Sequence, residues 1–446
     1  QMYEDEEYSE LEKISSDNYL ILIKSLNIFN RSEKIPNYSL LVFRKQKELL
    51  IFVANHNKDH CKILLKAKLS LLKKSYIESN SEKTFINEIN LQNDDYVYCA
   101  TIHNVGEILI AQNGDVLLNS LTFDHSLLIK TADSVIINSC NIKKLLVDSK
   151  NVIITNEDEV PTKIESLKVN CSQNTSSLYI TNKSVLEINT LKIENSLITN
   201  YGLLLMTNIV CNNCSILNNG KIITKYLKNI GFLFNTSLGT IESDTELKIY
   251  AINLYNFGEI KCKSLTIIAD STFLNNNNIT VDESILAYSE NIENHGTFKA
   301  DKISFIGNSF KQYQEGYINA ITTQFNSNKT ECEGKLEISN ISFYNDENSK
   351  TNNAIIFNNI EISDIKKILI YQCCEVLIGE KTKIMNIGSI KNNGEFVIKT
   401  QIGSIENINN ESSGMLYIIN NVNVNSIVNK GRIVVLGKKK EGEFCS

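Results

Sequence analysis

The chain has 446 residues, a net charge of −6 and an apolar fraction of 42%, so it exceeds the usual single domain and holds either several domains or one repetitive one. So weak a charge and so ordinary an apolar content argue against disorder and against nucleic acid as a partner. Its apolar runs stay below the roughly 18 residues of a membrane span, which argues against an integral membrane segment. Only two prolines occur and no tryptophan, so Pro-rich linkers between independent domains are missing and repetition is the better reading.

Residues 1–95 read as a small α/β capping region. Within 4–30 an acidic start leads into an apolar stretch that fits a helix, with Ser16 or Asp17 as N-cap. Residues 1–25 lack the charged start, apolar core and small-residue cleavage site of a secretory leader, while Gln1 ahead of Met2 leaves a removed leader open. Tyr38 to Phe43 and Leu49 to Val53 flank a polar link and predict a β-hairpin. Residues 62–74 interleave Lys62, Lys66, Lys68, Lys73 and Lys74 with leucines. As a helix that segment would be basic and amphipathic and could touch an anionic membrane; as strands its lysines are a solvated face. A capping role is expected, because the end of a solenoid must hide its exposed strands and core.

From 96 to 435 the chain repeats. Glycines followed two residues later by an apolar residue fall at Gly202, Gly220, Gly239, Gly258, Gly296, Gly316 and Gly334, with Ile279 filling the long gap. The steps are 18, 19, 19, 21, 17, 20 and 18 residues, the drift expected when insertions are confined to turns. Further copies lie near Ala354, Cys374, Gly394, Gly414 and Gly431, and residues 436–446 form a C-terminal tail. Inside each unit the apolar positions alternate with period two, as in Gly258, Ile260, Leu265 and Ile267 or Gly334, Leu336, Ile341 and Phe343. Such alternation means short strands with one buried face. One unit cannot bury that face alone; stacking units about 4.8 Å apart creates a continuous core. The fold class is therefore all-β, a parallel β-helix with coils of about 19 residues. Asparagine recurs beside the glycines, as Asn219, Asn229, Asn256, Asn294, Asn386, Asn393 and Asn429. These positions suit tight turns, and stacked amides can bond along a ladder.

The stretch Asn256, Gly258, Ile260, Cys262, Leu265, Ile267, Ala269, Phe273, Asn275, recurring as Asn294, Gly296, Phe298, Ala300, Ile303, Phe305, Gly307, Phe310, resembles the repeat of filamentous haemagglutinin-type bacterial surface proteins. The resemblance covers 202–431 and implies a secreted right-handed rod acting as an adhesin or as the stalk of a contact-dependent toxin. Two features depart from that family: the chain has 11 cysteines, where such rods are poor in them, and its N-terminal segment does not match the family's secretion domain. A host or bacterial cytoplasm is thus an alternative location to the cell surface.

The cysteines are odd in number and lack a framework spacing, so they read as free thiols in the core. Cys211 and Cys214 have CxxC spacing without the second pair a tetrahedral metal site requires. Asn-x-Ser/Thr triplets such as those at Asn235 and Asn328 are at chance level for so Asn- and Ser-rich a chain. Enzymatic β-helices need clustered carboxylates, or an Arg or Lys base with calcium. Of the three arginines, Arg31, Arg44 and Arg432, one lies in the repeats, and His56, His60, His103, His125 and His295 are scattered. His56 and His60 lack the Glu of a metalloprotease helix, and Asp94 with Asp95 sits at the edge of the repeats. Catalytic, cofactor and metal residues are accordingly assigned as none. The expected function is a non-catalytic, monomeric scaffold or adhesin-like segment binding a host or neighbouring-cell surface protein or glycan. The alternatives are a polysaccharide-active lyase or hydrolase, marked by carboxylates converging across neighbouring coils, or a fibre or effector that binds a host protein.

Overall fold

A computed structural model describes the backbone of the strands lying between 20 and 131, then residues 134–156, 160–170, 176–344, 353–420 and 422–436. Every regular element among these residues is a strand. The chain divides into two compact units, Gln1–Thr224 and Lys225–Ser446.

The first unit opens with an antiparallel sheet of four strands, Leu20–Leu22, Tyr38–Lys45, Glu48–Asn55 and Lys62–Lys68. The hairpin expected at 38–53 is present and extends from Tyr38↔Asn55 to Lys45↔Glu48. Leu20–Leu22, inside the segment that fits a helix, is a strand paired with Leu41 to Phe43; the other residues of 4–30 lie outside the described residues. Of the lysine-rich 62–74, the strand alternative holds for Lys62–Lys68, and 69–74 lie outside the described residues. Parallel pairing begins with Lys83–Asn87 against Glu107–Gln112. It continues through two recurring strand positions: Ser134–Asn138, Asn151–Thr155 and Ser176–Ile180 stack on one another, as do Asn141–Asp148, Thr162–Asn170 and Val185–Glu194.

The second unit shows the repeat most fully. The strand Glu259–Asn275 is bent twice, so its pairing with Asn278–Asn294 runs in three stretches: from Ile260↔Ile279, from Ser264↔Ser284 and from Thr272↔Asn291. Each coil therefore has three strand segments, and the inward side chains of like segments stack. The apolar column Ile241, Ile260, Ile279, Phe298, Ile318 is completely buried. Phe305, Phe325 and Phe343 are buried in another, with ring centroids 5.6 and 5.8 Å apart.

Register corrects one sequence assignment. Ile279 pairs with Ile260, so it occupies the apolar position, and Asn277 stands where Gly258 and Gly296 stand in adjacent coils. The 21- and 17-residue steps in the glycine series thus become two equal ones. At Gly258 close approach favours glycine: a Cβ there would lie 2.1 Å from the Gly239 carbonyl oxygen and 2.3 Å from that of Thr236.

The asparagine ladder is real, and most of its members sit two residues before the glycine. Asn235, Asn256, Asn275 and Asn294 each donate a side-chain N–H to the side-chain oxygen of the next, ending on Gln312, at 2.8 to 3.1 Å. All five are completely buried. The first unit has the pair Asn200 and Asn218, 2.8 Å apart. Of the asparagines singled out in sequence, Asn256, Asn294 and Asn429 belong to ladders. Asn219 and Asn393 follow ladder members, Asn229 has φ of 56°, and Asn386 accepts from Ser404 and donates to Asp364 at the surface.

A second correction concerns the glycines at 394, 414 and 431. The column of Gln312 runs on through Cys332, Phe357, Ile378 and Ile398. The ladder Asn392, Asn410, Asn429 beside those glycines belongs instead to the column of Phe343 and Ile370. The motif has moved to a different corner of the coil.

Polar satisfaction fails at several places within this core: among the described residues, the hydroxyls of Thr323, Ser327 and Thr330 and the side-chain oxygen of Asn409 are buried without a hydrogen-bond partner. Thr330 is completely buried between Phe310 and Ile355, and its hydroxyl lacks a hydrogen-bond partner. A buried hydroxyl without a partner carries its full desolvation cost, so Thr330→Val, which keeps the shape, will raise stability by about 1–2 kcal/mol. An increase in the urea midpoint at unchanged m-value checks this.

Candidate functional site

The stacking brings carboxylates from different coils to one place. A shallow groove of about 560 Å³ in the second unit is lined by Asp282, Asp301, Glu337 and Asp364, with Lys299, Asn319 and Ser339 beside them. Thr280, Lys299 and Asn319 are register partners in successive coils, which fixes the wall of the groove. Sequence reasoning missed it because none of these acids is near another in the chain, and a bend between Thr280 and Ser284 shifts the register.

Glu337 is the best anchored of the four. Lys335 pairs with it at 2.6 Å, and the Tyr317 hydroxyl and the Asn319 amide also donate to it. The bond from Lys335 first, and then that from Tyr317, hold its carboxyl below the usual range. A general acid in glycoside cleavage needs the opposite, a carboxyl kept protonated near neutrality. Tyr317 is pushed up by burial and by Glu337, which keeps its proton in place as a donor. The groove is thus acidic and polar, suited to hydrogen bonding and to cationic groups.

The outward side of the third strand segment has a different character. In the first unit, Ile136, Ile153, Tyr179, Thr199 and Leu217 are consecutive register partners, all outward and at least partly exposed. In the second unit the same position reads Phe234, Tyr255, Leu274, then Glu293, Lys311, Glu331, then Ile356, Leu377, Val397 and Tyr417. Each of these ten is half-buried. Phe232, Phe234, Tyr255 and Phe257 form a cluster with centroids 5.0 to 6.3 Å apart. Their small interplanar angles turn ring faces toward one another, so this cluster also staples adjacent coils. Tyr179 and Tyr201 pair in the first unit at 5.5 Å.

The remaining sequence candidates are dispersed. His295 stacks on Tyr313 at 3.8 Å between centroids, with Glu315 at 3.8 Å. Arg432 is on the exposed last coil. His56, His60, Asp94 and Asp95 lie outside the described residues. Six of the seven described cysteines, Cys211 and Cys214 among them, are buried free thiols, and Cys373 is exposed. Cys262 pairs with Val281, a small apolar residue, and burial pushes its thiol up to about 12. Among the described residues, groups of three or more His, Cys, Asp or Glu arranged to hold a metal are absent, and so is any helix long and apolar enough to cross a membrane. No family model, no curated protein and no solved structure matches the chain.

Proposed function

We propose that the chain is a non-catalytic β-solenoid that presents a binding surface to a host or neighbouring cell, as a monomeric adhesin-like segment or as part of a larger toxin. The observation that carries this reading is the outward column of aromatic and aliphatic residues on the third strand segment of both units. Half-exposed apolar side chains in a regular column provide a surface for protein or glycan contact. The resemblance of the 202–431 repeats to filamentous haemagglutinin-type rods supports the same reading and favours the cell surface as its location.

Binding of the purified chain to a glycan array and to cell surfaces tests it, with reducing ends and unsaturated sugars monitored alongside. Retention without turnover is expected, with about a tenfold or greater loss of affinity for Tyr179→Glu or Leu377→Glu, as expected when a charge enters an apolar contact. Absence of binding to every surface, or binding indifferent to both substitutions, overturns it.

A second reading rests on the acidic groove, whose carboxylates come from different coils, as a polysaccharide-active enzyme requires. Product release abolished by Asp301→Asn would replace the first reading with this one.

A further inference from the structure

The CxxC of the first unit is placed by neither surface. Its two cysteines end one strand segment and begin the next, on either side of Asn212 and Asn213, which are both exposed. Asn213 has φ of 56°, so the chain reverses direction there, and its side chain is bonded to that of Asn195, the residue with φ of 46° in the preceding coil. Both cysteine side chains point inward and are completely buried. Cys211 is in register with Ile193, and Cys214 donates its S–H to the Ile193 carbonyl oxygen at 3.0 Å. Both thiols thus lie at the inner side of one exposed turn, beside Ile193 of the preceding coil. Two sulfurs are too few for a tetrahedral metal, and among the described residues the pair belongs to no larger group of metal-ligating side chains.

We propose that Cys211 and Cys214 are a redox modification site, at which a peroxide converts the dithiol to an internal disulfide that closes the Asn212–Asn213 turn. The inference stands apart from the binding function proposed above. The CxxC spacing across one turn, with both side chains turned inward beside Ile193, supplies the geometry, since a disulfide needs its partners within one turn's reach. The neighbouring Cys211 holds the Cys214 thiol below its ordinary value, whereas Cys214 and burial push Cys211 up, so Cys214 ionises first. Peroxide is the oxidant class that fits, being small enough to pass a turn that opens locally.

The steps balance. The Cys214 thiolate attacks one oxygen of hydrogen peroxide, the O–O bond breaks, and Cys214 becomes a sulfenic acid. The departing hydroxide takes up the proton that Cys214 released and leaves as water. The Cys211 sulfur then attacks the Cys214 sulfur, the S–O bond breaks, and the hydroxyl leaves as a second water with the Cys211 proton. The two thiols lose two electrons, and the peroxide gains them.

The test uses the full chain treated with hydrogen peroxide, then denatured in N-ethylmaleimide and digested without reductant for mass spectrometry. The expected result is a peptide containing Cys211 and Cys214 that is lighter by two hydrogens and unalkylated. Loss of alkylation there should exceed that at the isolated, buried Cys262 by about tenfold, as a neighbouring pair with a lowered thiol implies. In Cys211→Ser the sulfenic acid at Cys214 has no resolving partner and will be trapped by dimedone, and in Cys214→Ser that label will be lost from the site. Wild-type chain alone decides the matter if either variant fails to fold. The proposal is overturned if both cysteines remain alkylated while the exposed Cys373 is oxidised, if they link to other cysteines, or if Cys262 reacts as fast as the pair.

Discussion

Phe325→Ala will destabilise the second unit by about 3–5 kcal/mol, the range for deleting a completely buried aromatic side chain. Phe325 is fully enclosed and touches phenylalanines on several sides: Phe305 at 5.6 Å, Phe310 at 5.2 Å and Phe343 at 5.8 Å between centroids, with Phe357 edge-on at 6.5 Å. A solenoid cannot relax into the space, because each ring is held in its coil by a backbone ladder on both sides. The loss should also be local. Each coil contacts only its neighbours, so stability is a sum of coil and interface contributions. Amide hydrogen exchange read by mass spectrometry should rise in the coils carrying Phe305, Phe325 and Phe343 and stay unchanged around Ile398 and Ile418. A uniform rise would mean that the unit unfolds as one body. The contrasting substitution, Phe257→Ala, removes a half-buried outward ring, and its cost should be near 1 kcal/mol, that of a cross-strand aromatic pair.

What could be read from the sequence divides along a physical line. Period-two alternation identified the inward residues because inward and outward positions differ in burial, and Ile260, Leu265 and Ile267 are indeed enclosed. Corner glycines such as Gly258 could be found because a Cβ there meets a carbonyl of the adjacent coil, a constraint that favours glycine although Asn277 fills the same corner one coil on. Which corner a glycine occupies was hidden, since Gly258 and Gly394 have the same local surroundings, Asn-x-Gly followed by alternation. Only long-range register separates them. The acidic groove was hidden for the same reason. Asp282, Asp301 and Asp364 meet through pairing, and a bulge such as that after Thr280 changes which residues meet without altering the local pattern. The outward column was legible in principle, because Tyr255, Leu274 and Leu377 recur one residue before an inward corner position. Its apolar character was hidden because period-two alternation singles out the inward residues and says nothing of which outward ones line up across coils.

Asn275→Leu will cost about 3–5 kcal/mol although it places a more apolar residue in a completely buried position. The asparagine has three roles that leucine cannot fill. Its oxygen accepts from Asn256 at 2.9 Å, and its N–H group donates to Asn294 at 2.9 Å and to the Thr297 carbonyl at 3.2 Å. Leucine would leave an N–H of Asn256 and the oxygen of Asn294 buried and unpaired, each costing about 1–3 kcal/mol. The hydrophobic gain offsets only part of that, roughly 1 kcal/mol for the methyl groups added. The ladder has a direction, each amide donating toward the higher-numbered coil, so its bonds reinforce one another and the damage should spread to both neighbours. Hydrogen exchange at the backbone amides of Phe257, Asn276 and His295, which bond to ladder carbonyls, is the most direct readout. Asn276→Ser, one residue along at the exposed turn, should change stability by no more than about 0.5 kcal/mol. Equal effects at the two positions would mean that the amide ladder contributes nothing beyond the turn itself.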